Sequence, residues 1–104
     1  MFQKLKNIKH FSKTVKRIRL IIKGKVQGVY FRHHTAVLAH KLGITGYIRN
    51  NMDGSVEVVA EGEEGKLNEL AEFCSHGPTG AVVESFERRE EEPYGDFVSF
   101  GVRY

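Results

Sequence analysis

The chain has little with which to staple or anchor itself. Among 104 residues it holds no tryptophan and a single cysteine, Cys74. One cysteine excludes an intramolecular disulfide, and gives no sign of an oxidising compartment. The longest apolar runs are a few residues, far short of the ~20 that span a bilayer, so no transmembrane helix is expected. Basic residues at the N-terminus are not followed by the ~7–15-residue apolar stretch of a secretory leader. A cytoplasmic protein is therefore expected, with one small domain built on one core, burying about 60–65% of its unfolded surface.

Acidic residues are missing from the first nineteen positions, which hold seven Lys/Arg: Lys4, Lys6, Lys9, Lys13, Lys16, Arg17 and Arg19. The remainder holds nine basic against thirteen acidic residues, a net of −4, beneath an overall charge of +3. Such an arm invites a nucleic-acid or anionic-membrane partner. It lacks an Arg-rich run and carries only Phe2 and Phe11 as aromatics. Residues 1–14 are accordingly read as a flexible basic extension and 15–104 as the domain.

Periodicity divides that domain. Ile18, Leu20 and Ile22 alternate with Arg17, Arg19 and Ile21, which predicts a strand over 15–23. Thr35, Leu38 and Leu42 recur at helical spacing and predict a helix over 31–42, capped by Gly43. A strand over 44–50, a turn at Asn51-Met52-Asp53-Gly54 and a strand over 55–61 form a hairpin. In the second of these strands Val56, Val58 and Ala60 share one face, and Glu57 and Glu61 the other. A helix is predicted over 63–76, apolar at Leu67, Leu70, Ala71 and Cys74, and stopped by Gly77-Pro78. Strands over 81–89 and 97–103 follow, joined by an acidic loop around Pro93. The β-α-β-β-α-β order is the split-βαβ, ferredoxin-like pattern, with five strands in all.

The most informative stretch joins the first strand to the first helix: Gly24-Lys25-Val26-Gln27-Gly28-Val29-Tyr30-Phe31-Arg32. A tight strand-to-helix turn presents backbone N–H groups at a helix N-terminus, where they converge on an anion. Gly24 and Gly28 let the backbone bend and approach a ligand. Arg32 adds a planar cationic fork suited to phosphate oxygens. Taken singly, each residue has a plain structural alternative: the glycines serve a turn, Arg32 a surface, and Asn50 a strand end.

Residues 22–32 resemble the first signature of the acylphosphatase family, and Gly46-Tyr47-Ile48-Arg49-Asn50, continued by Gly54, Val56 and Gly62, its second. Phe100-Gly101-Val102-Arg103-Tyr104 is similar to the ending of many members. The resemblance covers about residues 18–104. It implies an α+β, ferredoxin-like sandwich, with two helices on one face of a mixed, mostly antiparallel five-stranded sheet. It also implies metal-independent hydrolysis of acyl phosphates to a carboxylate and inorganic phosphate, by a free-standing and monomeric enzyme without a cofactor. Arg32 matches the family's catalytic arginine and Asn50 its catalytic asparagine, which orients the attacking water. Lys25, Val26, Gln27, Gly28, Val29 and Tyr30 form the phosphate-binding loop, where inorganic phosphate is the expected competitive inhibitor. Tyr47, Ile48 and Asn51 depart from the commoner Trp, Val or Ala, and Thr, and leave both catalytic positions intact.

Two other readings compete. Ferredoxin-like sheets also serve as RNA platforms, and Phe97-Val98-Ser99-Phe100 mimics the end of an RNA-binding motif. Pro93 and Tyr94 occupy that motif's basic-glycine start, so the stretch is read as a core strand. An acylphosphatase-like domain can also bind a carbamoyl-phosphate-type ligand inside a larger maturation factor. His33, His34 and His40 have poor metal-ligand spacing, and no metal is expected.

Overall fold

The computed structural model describes residues 14–104, so nearly all of the expected basic extension lies outside the described residues. The elements run β1 (Lys16–Lys25), α1 (Phe31–Lys41), β2 (Thr45–Asn50), β3 (Val56–Gly62), α2 (Glu64–His76), β4 (Val82–Glu91) and β5 (Phe100–Arg103). The strands form one sheet in the order β4-β1-β3-β2-β5. All neighbours are antiparallel except β2 and β5, which run parallel. This is the expected ferredoxin-like α+β architecture.

Alternation decides which face carries the helices. Ile18, Leu20 and Ile22 of β1, Val56, Val58 and Ala60 of β3, and Ile48 of β2 are buried on one side. Against them α1 lays Phe31, Thr35 and Ala39, and α2 lays Leu67, Leu70, Ala71 and Cys74. The Phe31 and Phe73 rings meet at 6.3 Å between centroids and join the two helices. Thr35 hides its hydroxyl by donating to the Phe31 carbonyl at 2.8 Å. Burial pushes the Cys74 thiol up to about 12, against a weaker opposing contact with Thr35, so it stays a protonated core residue. The end of α1 is a Schellman motif: Gly43 N–H donates to His40 O and Ile44 N–H to Ala39 O.

Three boundaries differ from the sequence expectation by two residues or more, β4 running on to Glu91 through part of the expected acidic loop. β1 runs on to Lys25, its register against β4 shifting between Lys23 and Gly24. A Cβ on Gly24 would stand 2.2 Å from the Val82 carbonyl oxygen, so this glycine serves the close approach of β4. β5 begins only at Phe100, three residues later than expected, and the loop before it is tied to β3. Tyr94 and Gly95 N–H donate to the Glu61 carboxylate at 2.9 and 3.1 Å. The loop crosses the helix-free face, where Phe97 meets Tyr47 edge-on and lies beside the Arg17 guanidinium. Of the expected core strand, Phe100 is buried and Val98 is 93% exposed.

That outer face is closed by charge. Glu61 accepts from Arg17, Arg17 and Arg19 both donate to Glu91, and Glu57 accepts from Arg19 and Arg49. Arg49, half-exposed, is thus one end of a six-residue chain. Burial resists ionisation of Glu61, but the two loop amides and Arg17 outweigh it and hold the carboxyl below its ordinary range. Bonds from Arg19 do the same for Glu91. A carboxyl depressed in the folded state stabilises above its unfolded value and loses that contribution as pH falls through the folded one. Glu61→Gln is therefore expected to be less stable than wild type near pH 7, with the gap closing below about pH 4.5. Urea unfolding across that range checks it; a gap independent of pH would contradict the role given to Glu61.

Candidate active site

Five residues carry the chain from β1 into α1. Val26 is buried and anchors the turn, Gly28 takes φ +78° and Tyr30 φ +61°. At Gly28 a side chain would meet nothing within 4 Å, so backbone conformation, not crowding, asks for glycine there. Tyr30 occupies the N-cap of α1 without a side-chain capping bond. Among the described residues, the amides of Gln27 to Tyr30 donate to no protein acceptor. The first α1 amides lack intrahelical partners by geometry. Unspent donors thus gather at the positive end of a helix dipole.

These donors border a cleft of about 450 Å³ lined by Val26, Gly28, Tyr30, Phe31, Arg32, His33, Asn50, Val102 and Tyr104. Arg32 and Asn50, eighteen positions apart in sequence, enter it together. Arg32, one residue inside α1, has no carboxylate partner among the described residues. Its guanidinium carbon lies 4.8 Å from the Tyr104 ring centroid, which orients the fork without neutralising it. Asn50 ends β2 opposite Val56, and its Oδ1 is buried with no donor among the described residues. An orphaned buried acceptor costs about 1–3 kcal/mol, and such an atom calls for a reason.

Of the other expected loop positions, Val26, Gly28 and Tyr30 line the cleft, whereas Lys25, Gln27 and Val29 do not. Lys25 ends β1 facing solvent, and Val29 packs on the core. The Gln27 carboxamide turns to the β2–β3 hairpin, donating to the Asn51 and Ser55 carbonyls at 2.9 Å each. Within that hairpin Asn51 Nδ2 donates to Ser55 Oγ, and Ser55 donates to Asp53 through both its amide and its hydroxyl. The Ser55 hydroxyl, then its amide, hold the Asp53 carboxyl below its ordinary range.

Val102, Tyr104 and His33 were not among the expected site residues. The parallel pairing of Ile48 with Val102 and Arg49 with Arg103 brings the C-terminal stretch beside Asn50. The family-like ending of the chain was the signal available for Val102 and Tyr104. His33 follows from its place next to Arg32 on the first turn of α1. His40 lies away from the cleft, its Nε2 donating to the Phe100 carbonyl at 2.8 Å and tying β5 to α1. No three His, Cys, Asp or Glu among the described residues cluster as a metal set. No described helix is long and apolar enough to cross a membrane.

The RNA-platform reading finds little here. The helix-free face spends Arg17, Arg19 and Arg49 on carboxylates, and Phe100 is buried rather than offered for stacking.

Comparison with known proteins agrees with the cleft. The family model described as Acylphosphatase matches residues 18–102. An acylphosphatase of Caldivirga maquilingensis is 49% identical over 85% of this chain and 94% of its own. The crystal structure of the Bacillus subtilis acylphosphatase superposes with a TM-score of 0.81 at 31% identity, over 88% of this chain and 100% of that one. Full-length HypF, in its phosphate- and nucleotide-bound form, aligns at 25% identity with a TM-score of 0.80, over 88% of this chain but 12% of its own. With the family match running from β1 into β5 and taking in both Arg32 and Asn50, the chain belongs to the acylphosphatase family.

Proposed function

We propose that this protein hydrolyses acyl phosphates without a metal, with Arg32 and the amides of the 25–30 loop holding the phosphoryl group and Asn50 orienting the attacking water. The observation that carries the reading is the meeting of Arg32, without a carboxylate partner among the described residues, and Asn50, whose Oδ1 is buried without a donor, in the lining of one cleft. The chemistry asks for little more. A carboxylate is already a good leaving group, so no strong acid is needed on the acyl side. What remains is to bind a multiply charged phosphoryl group and to aim one water in line.

Amide donors and the Arg32 fork suit the equatorial oxygens, where charge builds in the transition state. Asn50 Oδ1 accepts a hydrogen bond from the water and turns its lone pair toward phosphorus. The new bond joins water oxygen to phosphorus. The bond from phosphorus to the acyl oxygen breaks, and its electron pair leaves with the carboxylate. The water's proton passes to a phosphoryl oxygen, since neither Arg32 nor Asn50 is a base near neutral pH. Inorganic phosphate, the product, competes for the same donors.

Benzoyl phosphate hydrolysis with EDTA present is the direct test. Turnover by the intact chain is expected. Arg32→Ala is expected to lower kcat/KM by at least ~10²-fold, the loss typical of one transition-state donor, and to weaken phosphate inhibition. Asn50→Ala should lower kcat by about 10²–10³-fold while phosphate inhibition stays within a few-fold. Near-wild-type rates in either variant would remove that residue from the mechanism. Ligand binding that phosphate displaces, without turnover in the intact folded chain, would favour a binding domain of the kind embedded in a larger protein.

A further inference from the structure

The sheet ties Asn50 to β1 only through Val56 and Ile22, and beyond those pairs the 26–30 turn and the 51–55 hairpin part. β1 pairs with β3 only as far as Ile22 opposite Val56. Beyond that point β1 continues against β4, reaching Lys25 opposite Val82, whereas the chain preceding Val56 turns back through the hairpin to Asn50. No ladder bond therefore joins the 26–30 turn, which carries the anion-binding amides, to residues 51–55, the hairpin that follows Asn50.

Gln27 spans this gap. Its Nε2 places one hydrogen on the Asn51 carbonyl and the other on the Ser55 carbonyl, both at 2.9 Å. These acceptors stand on the two arms of the hairpin, one immediately after Asn50 and one immediately before Val56. They are also joined to each other through the turn: Asn51 N–H donates to Ser55 O, and Gly54 N–H to Asn51 O. Both carboxamide hydrogens are spent in this way, so the Gln27 side chain offers no donor to a phosphate in the cleft. Among the described residues, no other side chain donates from the turn to the hairpin.

We propose that Gln27 is a positioning residue: its carboxamide fixes the Asn50 side chain, and the water it orients, relative to the phosphoryl group held by the turn. The inference rests on the acyl phosphate hydrolysis proposed above and adds a group that acts only through Asn50. In-line attack tolerates little error, since a misplacement of about 1 Å can cost 10²-fold in rate. A sheet that has already diverged at Ile22 and Val56 does not supply that precision.

The experiment is a double-mutant cycle on benzoyl phosphate hydrolysis, with inorganic phosphate inhibition measured in each variant. Gln27→Met keeps the length and removes both donors; Gln27→Asn, one methylene shorter, replaces it if the methionine variant does not fold. In the wild-type background the substitution is expected to lower kcat about tenfold or more, with KM and phosphate inhibition within about threefold. In the Asn50→Ala background it should cost less than about twofold further, because the group it positions is gone. Equal losses in both backgrounds, or phosphate affinity falling together with kcat, would overturn the positioning role. Full turnover by Asn50→Ala alone would instead overturn the water-orienting assignment, and the inference with it.

Discussion

The passage from β1 into α1 sets the terms for everything around it. In five residues the chain must leave a buried strand, reverse, and enter a helix with its amides unspent. The cost is visible at Tyr30, a non-glycine residue at φ +61°. A left-handed conformation costs an L-residue roughly 1–2 kcal/mol. A Ser or Asp at an N-cap commonly contributes about 1 kcal/mol by accepting from the first helical amides. Such a cap at position 30 would consume the donors that an anion needs. Under the proposed function the bare N-cap gives up local stability for a site, as functional backbone often does.

The rest of the fold makes that expense tolerable. Each fully buried Leu or Ile under the helices is worth about 1.5–3 kcal/mol, whereas exposed ion pairs contribute about 0.2–1 kcal/mol. The apolar face therefore carries stability, and the Arg–Glu chain on the opposite face does something else. Three of its members, Arg17, Glu57 and Glu61, are buried, where desolvation offsets much of the attraction. Its value is directional: Glu61 holds the Tyr94 and Gly95 amides against the sheet, on the loop that leads into β5. The parallel register of β5 on β2 delivers Val102 and Tyr104 to the cleft beside Arg32 and Asn50.

Local pattern revealed what local pattern controls. The alternation of Ile18, Leu20 and Ile22, the helical stripes, and the Asp-Gly turn were readable because neighbouring residues fix them. The start of β5 was not, since Phe97-Val98-Ser99-Phe100 has strand chemistry throughout. The loop that leads into it is held by a carboxylate far away in sequence, Glu61 on β3, which no local pattern reveals. Arg32 and Asn50 were legible only through paired signatures, each being ambiguous alone. Gly24 shows the converse: it lies in the signature, yet its requirement for glycine comes from the Val82 carbonyl of β4. The side-chain contacts of Gln27 and Tyr104 depend on how distant strands register, which no short window contains.

The groups proposed to hold the phosphoryl group and orient the water are pH-silent: backbone amides, the Arg32 guanidinium and the Asn50 carboxamide do not change charge over the neutral range. The groups held below their ordinary range are Asp53 in the hairpin and Glu61 and Glu91 on the outer face. Acid acts on bonds outside the cleft lining: protonating Glu61 removes the charge held by Arg17 and the Tyr94 and Gly95 amides, and protonating Asp53 the charge held by Ser55.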